Sequence, residues 1–193
     1  MNRRSIIQTS KNRFLAGALS VLTLGILAAA SPARGQGCDL YPIALSFQTL
    51  ANVQEGTVIC DIFNGAQPGN FGWLSWAGSP AEPTLVRSLS VPGDSYTYVN
   101  PDNANDHVVT VGDWVQGKPG VSNSHEVRDA LDGLEDYEVV VPVWDQVRGH
   151  GSQAAYHVSG FARVRILGYR LPSQNRISVL FIGHVSCGSD DPT

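Results

Sequence analysis

Lysine is nearly missing from this chain: Lys11 and Lys118 are alone among 193 residues, and 17 acidic residues face 13 basic ones. That balance argues against nucleic acid as a partner, because binding it needs a basic face. It also argues against attraction to anionic lipid. Several signatures are absent as well. There is no GxxxxGK[ST] loop, no HxH or HExxH pair, no Cys/His cluster at zinc spacing and no EF-hand loop. Repeats, heptads and low-complexity tracts are absent too. Cysteine is scarce, with Cys38, Cys60 and Cys187 only. Three cannot all pair internally, so one bond plus one free or intermolecular thiol is expected. A nucleophilic cysteine would need a nearby histidine, and nothing local supplies one.

The chain has one long apolar run, Leu15 to Ala30, of 16 uncharged residues. Arg3, Arg4, Lys11 and Arg13 precede it, and Ser31-Pro32-Ala33 follows with small residues. This is the layout of a secretory signal peptide, with cleavage expected after Ala33. A spanning helix needs about 20 apolar residues, more than are present. Gly35-Gln36-Gly37 before Cys38 lacks the aliphatic residue that a lipidation signal places there. Cleavage would remove four of the 13 basic residues and no acidic one, leaving net charge −8. The expected product is soluble, secreted or extracytoplasmic, and without stable membrane insertion. Its oxidising surroundings favour a disulfide. Cys38 to Cys187 would clamp both ends of the domain and Cys38 to Cys60 would staple it locally; a bond that includes Cys38 is expected.

The body reads as β-rich. Short runs of β-formers cover 41–47, 57–63, 71–76, 96–99, 107–111, 137–144, 156–169 and 177–185. In the 156–169 run, Tyr156, Val158, Gly160, Ala162, Val164 and Ile166 alternate with polar residues, which puts one face on a core. Pro142 cannot donate to a ladder and suggests an edge or a bulge. Residues 171–175 read as a hairpin loop, and 84–89 as either a short helix or a strand. Val127, Ala130, Leu131 and Leu134 recur at helical spacing, with Asn123 and Glu126 as a capping pair and Gly133 as the stop. The expectation is a mainly β domain over 34–187, a barrel or sandwich of about eight to ten short antiparallel strands. One short α-helix, about 123–133, crosses it, and a flexible tail follows at 188–193.

Four features carry candidate chemistry. Asp102, Asn103, Asn105 and Asp106 form an oxygen-rich loop, a weak calcium candidate beside the ordinary reading as a turn. Asp145, His150 and His157, with Ser152, outline a possible hydrolase site. Trp73, Trp76, Trp114 and Trp144 would suit a carbohydrate platform if exposed, and a core otherwise. Gly112-Asp113 marks a tight turn in which the carboxylate accepts backbone N–H bonds. None of these reaches the specificity of a recognised catalytic motif.

Five segments in order are PGNFGWLSW (68–76), VGDWVQGKPGVSN (111–123), VRDALD (127–132), VPVWD (141–145) and YHVSGFARVRILGY (156–169). Together they resemble the extracytoplasmic domain of tight-adherence (Flp) pilus-assembly proteins of the TadE/TadG-like type. The resemblance implies a bacterial envelope or surface protein; with the signal peptide and no catalytic constellation beside it, the expectation is a non-enzymatic module that acts through protein contacts. It carries over no catalytic residue and no cofactor.

Overall fold

The computed structural model describes residues 38–78, 81–120, 122–171 and 173–187. The expected signal peptide (1–33) and tail (188–193) lie outside the described residues.

Among the described residues seven strands make one sheet: β1 (Ile43–Ser46), β2 (Val58–Phe63), β3 (Phe71–Ser75), β4 (Trp114–Gly117), β5 (Glu138–Arg148), β6 (Ala155–Arg170) and β7 (Arg176–Val185). Their order is β2-β7-β6-β4-β3-β1-β5, and β5 pairs again with β6. Strands β6, β4, β3, β1 and β5 therefore close into a five-stranded barrel, and β7 and β2 extend from it. The length of β6, 16 residues, makes both possible. One edge of β6 meets β4 at 155–157 and then β7 from 161 to 170, while β5 covers the other edge. Pairing is antiparallel except between β1 and β5, which run parallel.

The mainly β, barrel-like expectation holds, with fewer and in part longer strands than expected. Residues 96–99 and 107–111 do not form strands. Ser95–Thr97 is a 3-10 turn, and side chains rather than a ladder satisfy the loop behind it. Pro142 lies not on an edge but between β1 and β6, and the β5–β6 register slips just after it, between Val143 and Trp144. The hairpin at 171–175 joins β6 to β7 as expected.

The described residues hold three α-helices: α1 (Phe47–Leu50), α2 (Glu82–Leu89) and α3 (His125–Asp132). Residues 84–89 thus belong to a helix, whose Pro83 suits the first turn, where its missing N–H costs nothing. Ser124, not Asn123, caps α3: its hydroxyl accepts the Val127 N–H at 3.2 Å. Glu126 consequently falls one position early for a capping box. Hydrogen bonds from its own backbone and from Ser124 still hold its carboxyl below the usual range. Gly133 ends the helix as expected.

Helices α2 and α3 place Leu85, Leu89, Val127 and Leu131 in a core shared with Ile43, Phe71, Trp73, Val141, Val164 and Phe181. A second core gathers Ala44, Leu74, Trp76, Tyr98, Trp144, Tyr156 and Phe161. Alternate residues of β1 and β3 go to different cores, so both strands are buried on both faces. The Tyr156 ring lies against Gly72 and Gly117, where a Cβ would come within 2.4 and 2.7 Å of it. Only glycine permits that approach.

Candidate functional site

Asp145 and His157 meet. His157 Nδ1 lies 2.6 Å from Asp145 Oδ1, and both side chains are partly exposed. The slip in the β5–β6 ladder between Trp144 and Gln146 turns Asp145 toward the histidine. The ring of His157 packs on Trp114 with centroids 5.1 Å apart, and the Arg148 guanidinium sits 4.5 Å from the Trp114 ring. Arg148 in turn holds Asp102 at 2.7 Å. Among the described residues no hydrogen bond joins His150 or Ser152 to this pair; the Ser152 carbonyl accepts from Gln116. The arrangement has an oriented imidazole, half of the hydrolytic triad logic, without the expected hydroxyl. Sequence proximity picked out Asp145 and His157, and missed Trp114 and Arg148 as their neighbours.

The oxygen-rich loop is braced internally. Asn100 Nδ2 donates to Asp106 at 2.9 Å and to Asp113 at 3.0 Å. Asp102 N–H and Asn105 N–H donate to Asn100 and Asn103 side chains, closing two Asx turns. Asp113 accepts the Thr110 N–H at 2.6 Å and the Thr110 hydroxyl at 2.9 Å, as the turn reading expected, and Gly112 before it has φ 101°. Asp102 belongs to Arg148, so the calcium candidates Asp102, Asn103, Asn105 and Asp106 are committed to turns and to one ion pair. Among the described residues no group of three or more His, Cys, Asp or Glu side chains is placed to hold a metal ion. Tyr98 anchors the loop from below by donating to the Trp114 carbonyl at 3.1 Å. Burial, and then the Asp113 charge, raise its phenol above the ordinary range.

The four tryptophans do not form a platform. Trp73, Trp76 and Trp144 are buried, and Trp114 lies under Arg148 and His157. Three of the indoles follow the core reading, Trp73 in one core and Trp76 and Trp144 in the other, while Trp114 is half-buried outside both.

Cys38 and Cys187 form the disulfide, with Cα atoms 5.3 Å apart, and Cys60 is free and exposed. Beside the bond lies a shallow groove of about 360 Å³, lined by Cys38, Asp39, Tyr41, Pro92, Glu138 and Arg163 among others. Burial, and then the Asp39 charge, raise the Tyr41 phenol above its usual range. Among the described residues no helix is long and apolar enough to cross a membrane.

Strand β2 is the surface feature that sequence reading missed. Among the described residues it ends the sheet, with β7 on one side and no strand on the other. Val58 and Phe63 are 50% and 48% exposed on it. The run was legible as a strand, but which strand stays unpaired depends on the whole topology. No family model matches this chain, and no curated protein or solved structure was found to resemble it.

Proposed function

We propose that this chain is a non-enzymatic extracytoplasmic module, related to pilus-assembly ectodomains, that acts by protein–protein contact. The observation that carries this reading is β2, the open edge of a sheet otherwise closed into a barrel. An open edge presents main-chain donors and acceptors to an incoming strand, which is a recurrent mode of protein recognition. Exposed Val58 and Phe63 add apolar area along it. The disulfide fits an oxidising compartment and supports the secreted or surface setting. Crosslinking in intact bacteria followed by pull-down of the chain tests the reading. A crosslinked protein complex is expected, and recovery of free monomer alone from the medium would count against it.

A second reading rests on the 2.6 Å Asp145–His157 bond: a hydrolase in which Asp145 orients His157 as the base. It predicts turnover of a panel of fluorogenic esters that His157→Ala abolishes. Equal rates for the two proteins dismiss it.

A further inference from the structure

Three polar side chains on the groove beside the disulfide lack partners. Arg163 is the first. Arg87, Arg148, Arg165, Arg170 and Arg176 each sit against a carboxylate, and Arg128 donates to the Asn123 carbonyl. Among the described residues Arg163 alone of the arginines has neither an ion pair nor a hydrogen bond, and it lines the groove. Asp39, on the same groove, is unpaired among those residues too. Tyr41 is the third. It is only 6% exposed, and its hydroxyl finds no hydrogen-bond partner among the described residues. A hydroxyl on so buried a side chain ordinarily has one.

Rigid backbone holds all three. The Cys38–Cys187 bond fixes the residue before Asp39. After it, the Leu40 N–H donates to Ser95 Oγ at 3.0 Å and the Tyr41 N–H to the Val140 carbonyl at 2.9 Å. Arg163 sits within β6, paired with Val140 of β5 and Gly183 of β7. Asp39 and Arg163 carry opposite charges on one groove, yet they form no ion pair with each other. Glu138, the other carboxylate there, is held by Arg165 at 3.4 Å. Val91, Pro92 and Val140 supply apolar lining. An apolar wall with a few fixed polar groups is the usual make-up of a small-ligand site, and such sites run from about 300 to 1,000 Å³. This groove, at about 360 Å³, suits a ligand at the small end.

We propose that this groove binds a small zwitterion with an apolar side chain, an amino acid or a dipeptide. Arg163 and the Tyr41 hydroxyl donate to its carboxylate, and Asp39 accepts from its ammonium group. Val91, Pro92 and Val140 take the apolar side chain. Burial keeps the Tyr41 phenol protonated, so it serves as a donor. A ligand of one sign would leave one charge of the groove unanswered and meet repulsion from it, whereas a zwitterion answers both. The site is separate from the protein-contact reading and does not rest on it.

The test titrates the full chain with L-leucine and with leucyl-leucine, read by calorimetry. Saturable binding of at least one probe is expected, with Kd below about 10 mM. Acetylating the probe's amine or amidating its carboxylate should each weaken binding by roughly tenfold or more, because each removes one charge-assisted contact. Arg163→Gln should abolish the preference for the free carboxylate over the amide. Asp39→Asn should abolish the preference for the free amine over the acetylated form. Neither substitution removes a partner within the fold, so both variants should keep the wild-type thermal midpoint. Tyr41→Phe, which takes away the hydroxyl and keeps the ring, should weaken binding several-fold. Tighter binding of leucine supports a site for a free amino acid, and tighter binding of leucyl-leucine a site for a peptide. No saturable binding of either probe overturns the proposal. So does binding that the blocked probes match, or that all three variants leave unchanged.

Discussion

Replacing Cys38 and Cys187 by serine removes the covalent link between the two ends of the described fold. The two residues are 149 positions apart, so in the oxidised unfolded chain the bond closes almost the whole domain into a ring. Chain-entropy arithmetic for a loop of that size gives about 5 kcal/mol of stabilisation at 25 °C, near the top of what disulfides contribute. Domains of this size are stable by about 5–15 kcal/mol in total, so the variant should sit close to its folding threshold. The double variant is the right perturbation, because a single one leaves an extra thiol free to pair with Cys60. Three buried tryptophans, Trp73, Trp76 and Trp144, provide a fluorescence signal for urea unfolding. With a urea slope of about 2 kcal/mol/M, the midpoint should fall by roughly 2.5 M. The slope itself should rise, since an unfolded chain without the ring exposes more surface. Wild type in reductant should match the double variant, and Cys60→Ser alone should change nothing. A loss below about 1 kcal/mol with an unchanged slope would refute the reasoning, because the unfolded ensemble would then gain little freedom from losing the ring.

Gly72→Ala drives a methyl into the Tyr156 ring, and overpacking of this kind should cost about 1–3 kcal/mol by thermal unfolding; a double-mutant cycle with Tyr156→Ala should show coupling between the two sites. Asp113→Ala strips acceptors from Thr110 and Asn100 and should cost about 2 kcal/mol, while Asn105→Ala, exposed at the loop tip, should cost almost nothing in the same assay. Tyr169 donates to Asp132 at 2.6 Å, and desolvation, then that bond, push its phenol up to about 12. The folded chain keeps this proton where the unfolded chain releases it, so the contribution is whole below pH 10 and is lost as pH rises toward 12. Tyr169→Phe should flatten part of that alkaline decline in urea midpoints; an unchanged slope against pH would exclude the mechanism. Calcium at millimolar concentration should leave the thermal midpoint unchanged, and an upward shift would reopen the Asp102–Asp106 loop as a cation site.

The strands with period-two alternation were legible because burial alone specifies them: Tyr156 to Ile166 alternated in the sequence and is buried at its alternate positions, with Gly160 half-exposed. Residues 96–99 and 107–111 misled because Tyr98, Val99, Val108 and Val111 are β-formers by type. At 96–99 turn bonds to the Asp94 and Ser95 carbonyls and one to Trp76 took the N–H groups, and at 107–111 the Asp106 and Asp113 carboxylates took those of Val108 and Thr110. The helix cap was misplaced by one residue because Asn123 and Ser124 are both capping types, and only backbone geometry chooses between them. At the candidate site, the Asp145–His157 pair lay within reach of sequence reasoning since both residues sit on one hairpin. Arg148, Trp114 and Asp102 come together only when β4 and the 100–113 loop pack beside that hairpin. Closure of β6 onto both β4 and β5, which leaves β2 as the edge, is a property of long-range pairing that no local window holds.

The Cys38–Cys187 bond also determines how the domain meets mechanical load. A pull applied between residue 38 and residue 187 runs through two sulfur atoms and bypasses the hydrogen-bonded strands between them. Tension along the chain therefore cannot peel β1 from β3 or β7 from β6, as it would if the same force entered through unlinked ends. Under such a load the barrel would act as a bead on a cord whose cord does not pass through the bead. Reduction of that one bond would reroute the force through the sheet.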